Sequence, residues 1–221
     1  IPWRASGAAM LAPALAMPAA LPAHGEAWIT TLDVGQGLAV VVRTASRTLL
    51  YDAGPQFSGG TDSGQRVIAP YLRAIGIGRL DTLIVTHNDA DHSGGAVSVV
   101  ENFEVDALVS SLAQSHPLRL AVPDSRACRR GMEWEWDGVR FALLHPSAGD
   151  PAPRKVNDLS CVLRISAATG SMLLTGDIER VSEALLVERS AHGLRSDVLL
   201  VPHHGSKTSS SEEFLAAVVP S

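Results

Sequence analysis

Thr86-His87-Asn88-Asp89-Ala90-Asp91-His92-Ser93-Gly94-Gly95 is the stretch whose chemistry decides the fold. It follows the apolar run Leu80 to Thr86, so its side chains emerge together at the end of a strand. Four potential metal ligands, His87, Asp89, Asp91 and His92, fall within six residues. Imidazole and carboxylate at this density suit one or two divalent ions. Asp91 and His92 are adjacent and must point in different directions, which favours two ions over one. Gly94 and Gly95 allow close backbone approach and a tight entry into a helix running to Glu101. A solvated acidic turn with two incidental histidines is the competing reading, and the matching ligands elsewhere in the chain weigh against it.

On both sides of the cluster, strands dominate. Trp28 to Leu32 and Leu38 to Arg43 read as strands joined by Asp33-Val34-Gly35-Gln36-Gly37, and Thr48 to Asp52 as a third. A Gly/Ser-rich loop, Gln56 to Gly64, precedes a helix with Val67, Ile68, Tyr71, Leu72 and Ile75 on one face. Ala107 to Ser110 and Leu120 to Val122 read as further strands. Hairpins are expected at Met132 to Leu144, around Asp137-Gly138, and at Ser160 to Thr175. Glu179 to Arg189 reads as a helix and Val198 to Val201 as a buried strand. A last helix, Ser211 to Val219, has a serine cap and two acids in its first turn. Acidic and His residues at strand ends in both halves predict two β-layers meeting at one polar edge.

The 221 residues suffice for one α/β domain with a substantial core. Aromatics make up only 5%, too few for extended base-stacking platforms. A formal net charge of -5 does not suit a polyanion binder unless bound cations supply the field locally. Cys128 and Cys161 are too far apart for a CxxC motif, which leaves two free thiols or a disulfide open. Residues 1–26 read as a linker or the end of a membrane segment, because Pro13, Pro18 and Pro22 interrupt the apolar, Ala-rich run. The folded domain is expected over residues 27–221, in a chain that reads as part of something longer.

His87-x-Asp89-x-Asp91-His92 resembles the His-x-His-x-Asp-His signature of the metallo-β-lactamase superfamily, with Asp in place of the second His. That variant is similar to the C-terminal domain of the ComEC family of DNA-uptake channel proteins. Four further segments match the same family: Leu32 to Gly37, Asp52-Ala53-Gly54, Leu174-Thr175-Gly176-Asp177, and Val201-Pro202-His203-His204-Gly205-Ser206. The resemblance implies an α/β fold, the four-layer αββα sandwich. Its C-terminal edge would be truncated, because such domains usually end in a further strand carrying a last ligand.

Carried over residue by residue, the resemblance gives His87 and Asp89 one ion, Asp91 and His92 the second, and Asp177 a bridging role. His203 would add a ligand and His204 would act on the leaving group beside Asp91, or the two roles would be the other way round. A hydrogen-bonded structural role is the alternative for either histidine. Asn157, in Asn157-Asp158-Leu159-Ser160, stands where the superfamily usually has another His; it would offer its carbonyl oxygen or simply initiate a turn. Ser206 and Lys207 are candidate phosphate contacts or a solvated loop. Oxygen ligands harden the site, so Mn²⁺ is expected, with Zn²⁺ or Mg²⁺ as alternatives.

The resemblance further implies a metal-dependent nuclease that degrades the strand not taken into the cell. Its partners would be single-stranded DNA, the membrane channel portion of the same polypeptide and other competence proteins, with the domain itself monomeric. It would belong to a bacterial inner-membrane protein, on the periplasmic or extracellular side, where Cys128 and Cys161 would form a disulfide. The competing functions are a small-ester or thioester hydrolase of the same fold and a non-catalytic module that guides DNA.

Overall fold

The computed structural model describes residues 20–150 and 155–220. One sheet has six strands in chain order: β1 (Trp28–Thr31), β2 (Val40–Arg43), β3 (Thr48–Tyr51), β4 (Arg79–Val85), β5 (Glu104–Ser110) and β6 (Asp124–Ala127). The first three pair antiparallel, and β3 to β6 are parallel. The second sheet runs β11 (Val198–Leu199), β10 (Gly170–Leu174), β9 (Val162–Ala167), β8 (Val139–His145), β7 (Glu133–Trp136). It is antiparallel except for the β10/β11 pair.

Strand periodicity explains the layering. Val40 and Val42, Leu49 and Tyr51, and Ile84 face the second sheet and meet Phe141, Leu143, Leu163 and Ile165. Their neighbours Val41, Leu50, Leu83 and Val85 face the other way, toward Ile68, Leu72, Val99 and Leu118. Those residues belong to a π-helical turn (Gly64–Ile68) and to α1 (Ala69–Ala74), α3 (Ala96–Asn102) and α4 (Pro117–Ala121). On the far side, Val162 and Leu173 pack against Leu186, Leu194, Phe214 and Val218 of α5 (Arg180–Leu194) and α6 (Glu212–Val218). The order is therefore helix, sheet, sheet, helix, the αββα sandwich expected.

Cys128, just after β6, and Cys161, just before β9, form a disulfide across the two sheets, with Cα atoms 5.9 Å apart. Their side of the fold is buried on both partners.

Three expectations need correction. The expected buried strand Val198 to Val201 is the short β11 (Val198–Leu199), and Val198 is 52% exposed. Leu120 to Val122 is not a strand: Pro117 opens α4, His116 Nδ1 caps it by accepting from Leu118 N–H at 3.2 Å, and Leu120 is left 74% exposed. The strand is β6 instead, a half-exposed polar edge with no apolar pattern. The linker reading of residues 1–26 lies outside the described residues up to 19. Its last part is tied to the domain, because Gly25 N–H donates to Asp137 O and Gly25 O accepts from Ala168 N–H. Among the described residues no helix is long and apolar enough to cross a membrane.

Candidate metal centre

The ends of β4 and β10 deliver the chemistry to one edge of the sandwich. After β4 the chain turns into the short helix α2 (Ala90–Ser93), and Ala53 N–H and Leu38 N–H hold the carbonyls of His92 and Asp91. A Cβ at Gly37 would overlap the Asp91 carbonyl, and one at Gly94 or Gly95 would overlap the backbone of residues 53–56. The loop Leu32 to Gly37 therefore serves to seat Asp91.

Asp91, His92, Asp177 and His204 each present a ligand atom, all within 4.8 Å of one another. His92 Nε2 lies 3.0 Å from Asp177 Oδ1 and 3.3 Å from His204 Nε2, and His204 Nε2 lies 3.4 Å from Asp91 Oδ2. His204, rather than His203, thus belongs to this group. Both histidines have left-handed backbones, φ 49° and 51°, which non-glycine residues seldom adopt. The two rings diverge as a result. His203 has other partners: its Nε2 is 3.5 Å from Asn157 Nδ2 and 3.8 Å from Asp177 Oδ2, while its Nδ1 faces Glu179 at 3.5 Å and Thr208 at 3.2 Å. Glu179 in turn holds the Lys155 ammonium at 2.7 Å.

Asp52 is a site residue whose role the spacing of ligands did not disclose. Fully buried, it accepts from Thr86 N–H, Thr86 Oγ1 and His92 Nδ1, each at 2.8 Å. Since the Thr86 hydroxyl proton goes to Asp52, His87 Nδ1 must be the donor in its 2.9 Å contact with Thr86 Oγ1. His87 Nε2 then carries a bare lone pair. That atom is buried and has no hydrogen-bond partner, with Asp89 Oδ2 at 3.5 Å as the nearest carboxylate.

An orphaned acceptor is costly in a dry site, and here it sits beside a cluster of oxygen and nitrogen donors. Both facts fit divalent ions: one among Asp91, His92, Asp177 and His204, and one toward His87 and Asp89. Ser160 Oγ completes the setting, accepting from Asp177 N–H at 3.1 Å. Ser206 and Lys207 lie in the loop beyond His204; Ser206 Oγ is 3.1 Å from Thr208 Oγ1, and the Lys207 carbonyl accepts from Arg180.

The electrostatics follow from this packing. Burial works against a charged His92, but Asp52 and Asp177 outweigh it and push the imidazole up to about 10. Burial, and then the charge of His92, pulls His87 down. Burial would raise Asp177, yet its hydrogen bond to His92 and the surrounding imidazoles hold it below the usual carboxylate range. A proton on His92 Nε2 thus stands where an ion would stand.

The sequence model of the metallo-beta-lactamase superfamily matches residues 32–220. The chain belongs to the metallo-β-lactamase superfamily. Among its relatives, Competence protein ComA of Neisseria gonorrhoeae is 40% identical over 92% of this chain, and ComE operon protein 3 of Bacillus subtilis is 32% identical over 90%. The chain spans 27% and 28% of those proteins. The solved metallo-β-lactamase SMB-1 superposes with a TM-score of 0.57 at 12% identity, covering 90% of this chain and 91% of that one. This last likeness is one of fold. The motif-based resemblance to competence proteins is met by these relatives, and the superfamily fold implies divalent metal.

Proposed function

We propose that this domain is a metal-dependent phosphodiesterase that cleaves DNA during uptake. The observation that carries the reading is the convergence of Asp91, His92, Asp177 and His204 beside the bare, buried Nε2 of His87, in a chain 40% identical to a competence protein. His87, Asp89, Asp91, His92, Asp177 and His204 would hold two divalent ions, manganese being favoured by the carboxylates. Such ions supply an activated water and a positive field for phosphoryl oxygens.

The chain's own residues do the rest. Asp52 aims His92, and Thr86 fixes the tautomer of His87. His203 stands at the outer side of Asp177 beside Asn157, placed to hand a proton to the leaving oxygen. The exposed loop with Ser206 and Lys207 would receive the next phosphate. With few aromatics, the strand would be held by its backbone more than by its bases. In the wider protein the domain would serve a membrane channel, acting as a monomer outside the cytoplasm at the inner membrane. There it would work with other competence proteins and degrade the strand that is not imported. The Cys128–Cys161 disulfide supports an oxidising compartment.

The test is hydrolysis of single-stranded DNA by the Mn²⁺-loaded chain. Cleavage that disappears in Asp91→Ala, and falls strongly in His203→Ala with metal content unchanged, supports the reading. Hydrolysis of a generic thioester without DNA cleavage would select a small-ester hydrolase. Metal loading and DNA binding without turnover would select a guiding module.

A further inference from the structure

Resting on the dimetal reading above, we infer that the Cys128–Cys161 disulfide is a redox latch on the metal centre. Closed, it seats the residues that aim the ligands; open, it leaves the domain folded with weakened metal binding. The cross-link lies directly behind the site. Cys161 Sγ is 3.7 Å from the carbonyl oxygen of Thr86, the residue before His87. The same carbonyl accepts from the Ser111 hydroxyl at 2.6 Å, and the neighbouring Ser110 carbonyl accepts from Cys128 N–H at 2.8 Å. Cys161 O accepts from the buried Tyr51 hydroxyl at 2.6 Å, and Tyr51 precedes Asp52. Ser160 Oγ accepts from Asp177 N–H at 3.1 Å and lies 3.4 Å from His87 Nδ1. Asp52, His87 and Asp177 therefore all lean on residues 160–161. Asp52 and His87 follow strands of the first sheet, whereas Ser160, Cys161 and Asp177 flank strands of the second. With only two cysteines in the chain, this disulfide is the one covalent tie that can keep the two sets in register. The fit has little slack: a Cβ on Gly176 would stand 3.1 Å from Ser160 Cβ and 3.2 Å from Thr86 Cβ. Groups that orient metal ligands from behind govern affinity strongly, so a latch at this place confines tight metal loading to an oxidising compartment.

Two glutathione molecules open the latch: the Sγ–Sγ bond breaks, glutathione disulfide forms, and their two thiol protons pass to the cysteine sulfurs. Both sulfurs are buried, so the reduced chain is prepared by folding under thiol, checked by circular dichroism and freed of reagent. Calorimetric titration with Mn²⁺ should show binding at least about tenfold weaker in the reduced chain than in the oxidised one. Coupling between two sites is reciprocal. In glutathione buffers Mn²⁺ should therefore shift the exchange equilibrium toward the disulfide by the same factor, a readout independent of any catalysis. Ser160→Ala should narrow the gap in affinity between the two redox states. Equal Mn²⁺ affinity in both states, an exchange equilibrium indifferent to Mn²⁺, an undiminished gap in Ser160→Ala, or a reduced chain that no longer folds would overturn the inference while leaving the dimetal reading in place. Failure of the oxidised chain to bind Mn²⁺ at all would overturn both.

Discussion

Asp52 occupies a left-handed backbone position, φ 58°, and receives three hydrogen bonds in a fully buried pocket. Asparagine tolerates that backbone better than most residues, so Asp52→Asn removes the charge and keeps the turn. Manganese affinity at the His92 position should then fall about 10- to 100-fold, the usual cost of losing a carboxylate behind an imidazole; an unchanged isotherm would deny Asp52 this role.

His92 also makes loading pH-dependent. Its folded value of about 10 exceeds the unfolded value near 6.5, so in the metal-free chain its stabilisation is complete below about 6.5 and lost as pH rises through about 10. The melting temperature of metal-free protein should therefore fall between pH 7 and 10, and less steeply in His92→Gln. At pH 8 metal must displace this proton, so calorimetry in buffers of different ionisation enthalpy should report about one proton released. At this scale the sequence disclosed ligand types and spacing. It did not tell His203 from His204, because adjacent residues differ only through a backbone conformation set by their surroundings. Nor did it disclose the role of Asp52, whose partners lie 34 and 40 positions away.

Elements were legible where burial was two-sided or turns were explicit. The run Leu80 to Val85 became β4, and Asp137-Gly138, both at positive φ, became the β7/β8 turn. The α4 and β6 region was misread because a short apolar run carries no reliable period, while a polar edge strand carries no apolar pattern at all. The disulfide joins elements that belong to different sheets. It closes a 33-residue loop, which in the chain-entropy picture contributes about 3–4 kcal/mol. The paired change Cys128→Ser and Cys161→Ala should lower the melting temperature by about 10 °C, read by thermal unfolding with and without reductant. A shift within error would show the cross-link to be energetically idle.

For the whole molecule, a net charge of -5 sets the terms on which any nucleic acid can approach. Without ions the surface repels a phosphate backbone. Fluorescence anisotropy should show negligible binding of single-stranded DNA by EDTA-treated protein. The Mn²⁺-loaded Asp91→Asn protein should bind with a shallow salt dependence, because few Lys and Arg contribute to counterion release. A steep salt dependence without metal would point to a basic surface elsewhere instead.

The left-handed pair His203 and His204 has one more consequence. A side chain costs about 1–3 kcal/mol at each such position, and glycine would relieve it. A library of variants sorted only for heat resistance should therefore drift toward glycine at 203 and 204. Its most robust members would be the least able to turn over substrate, so improvement of this domain has to be scored on activity and endurance together.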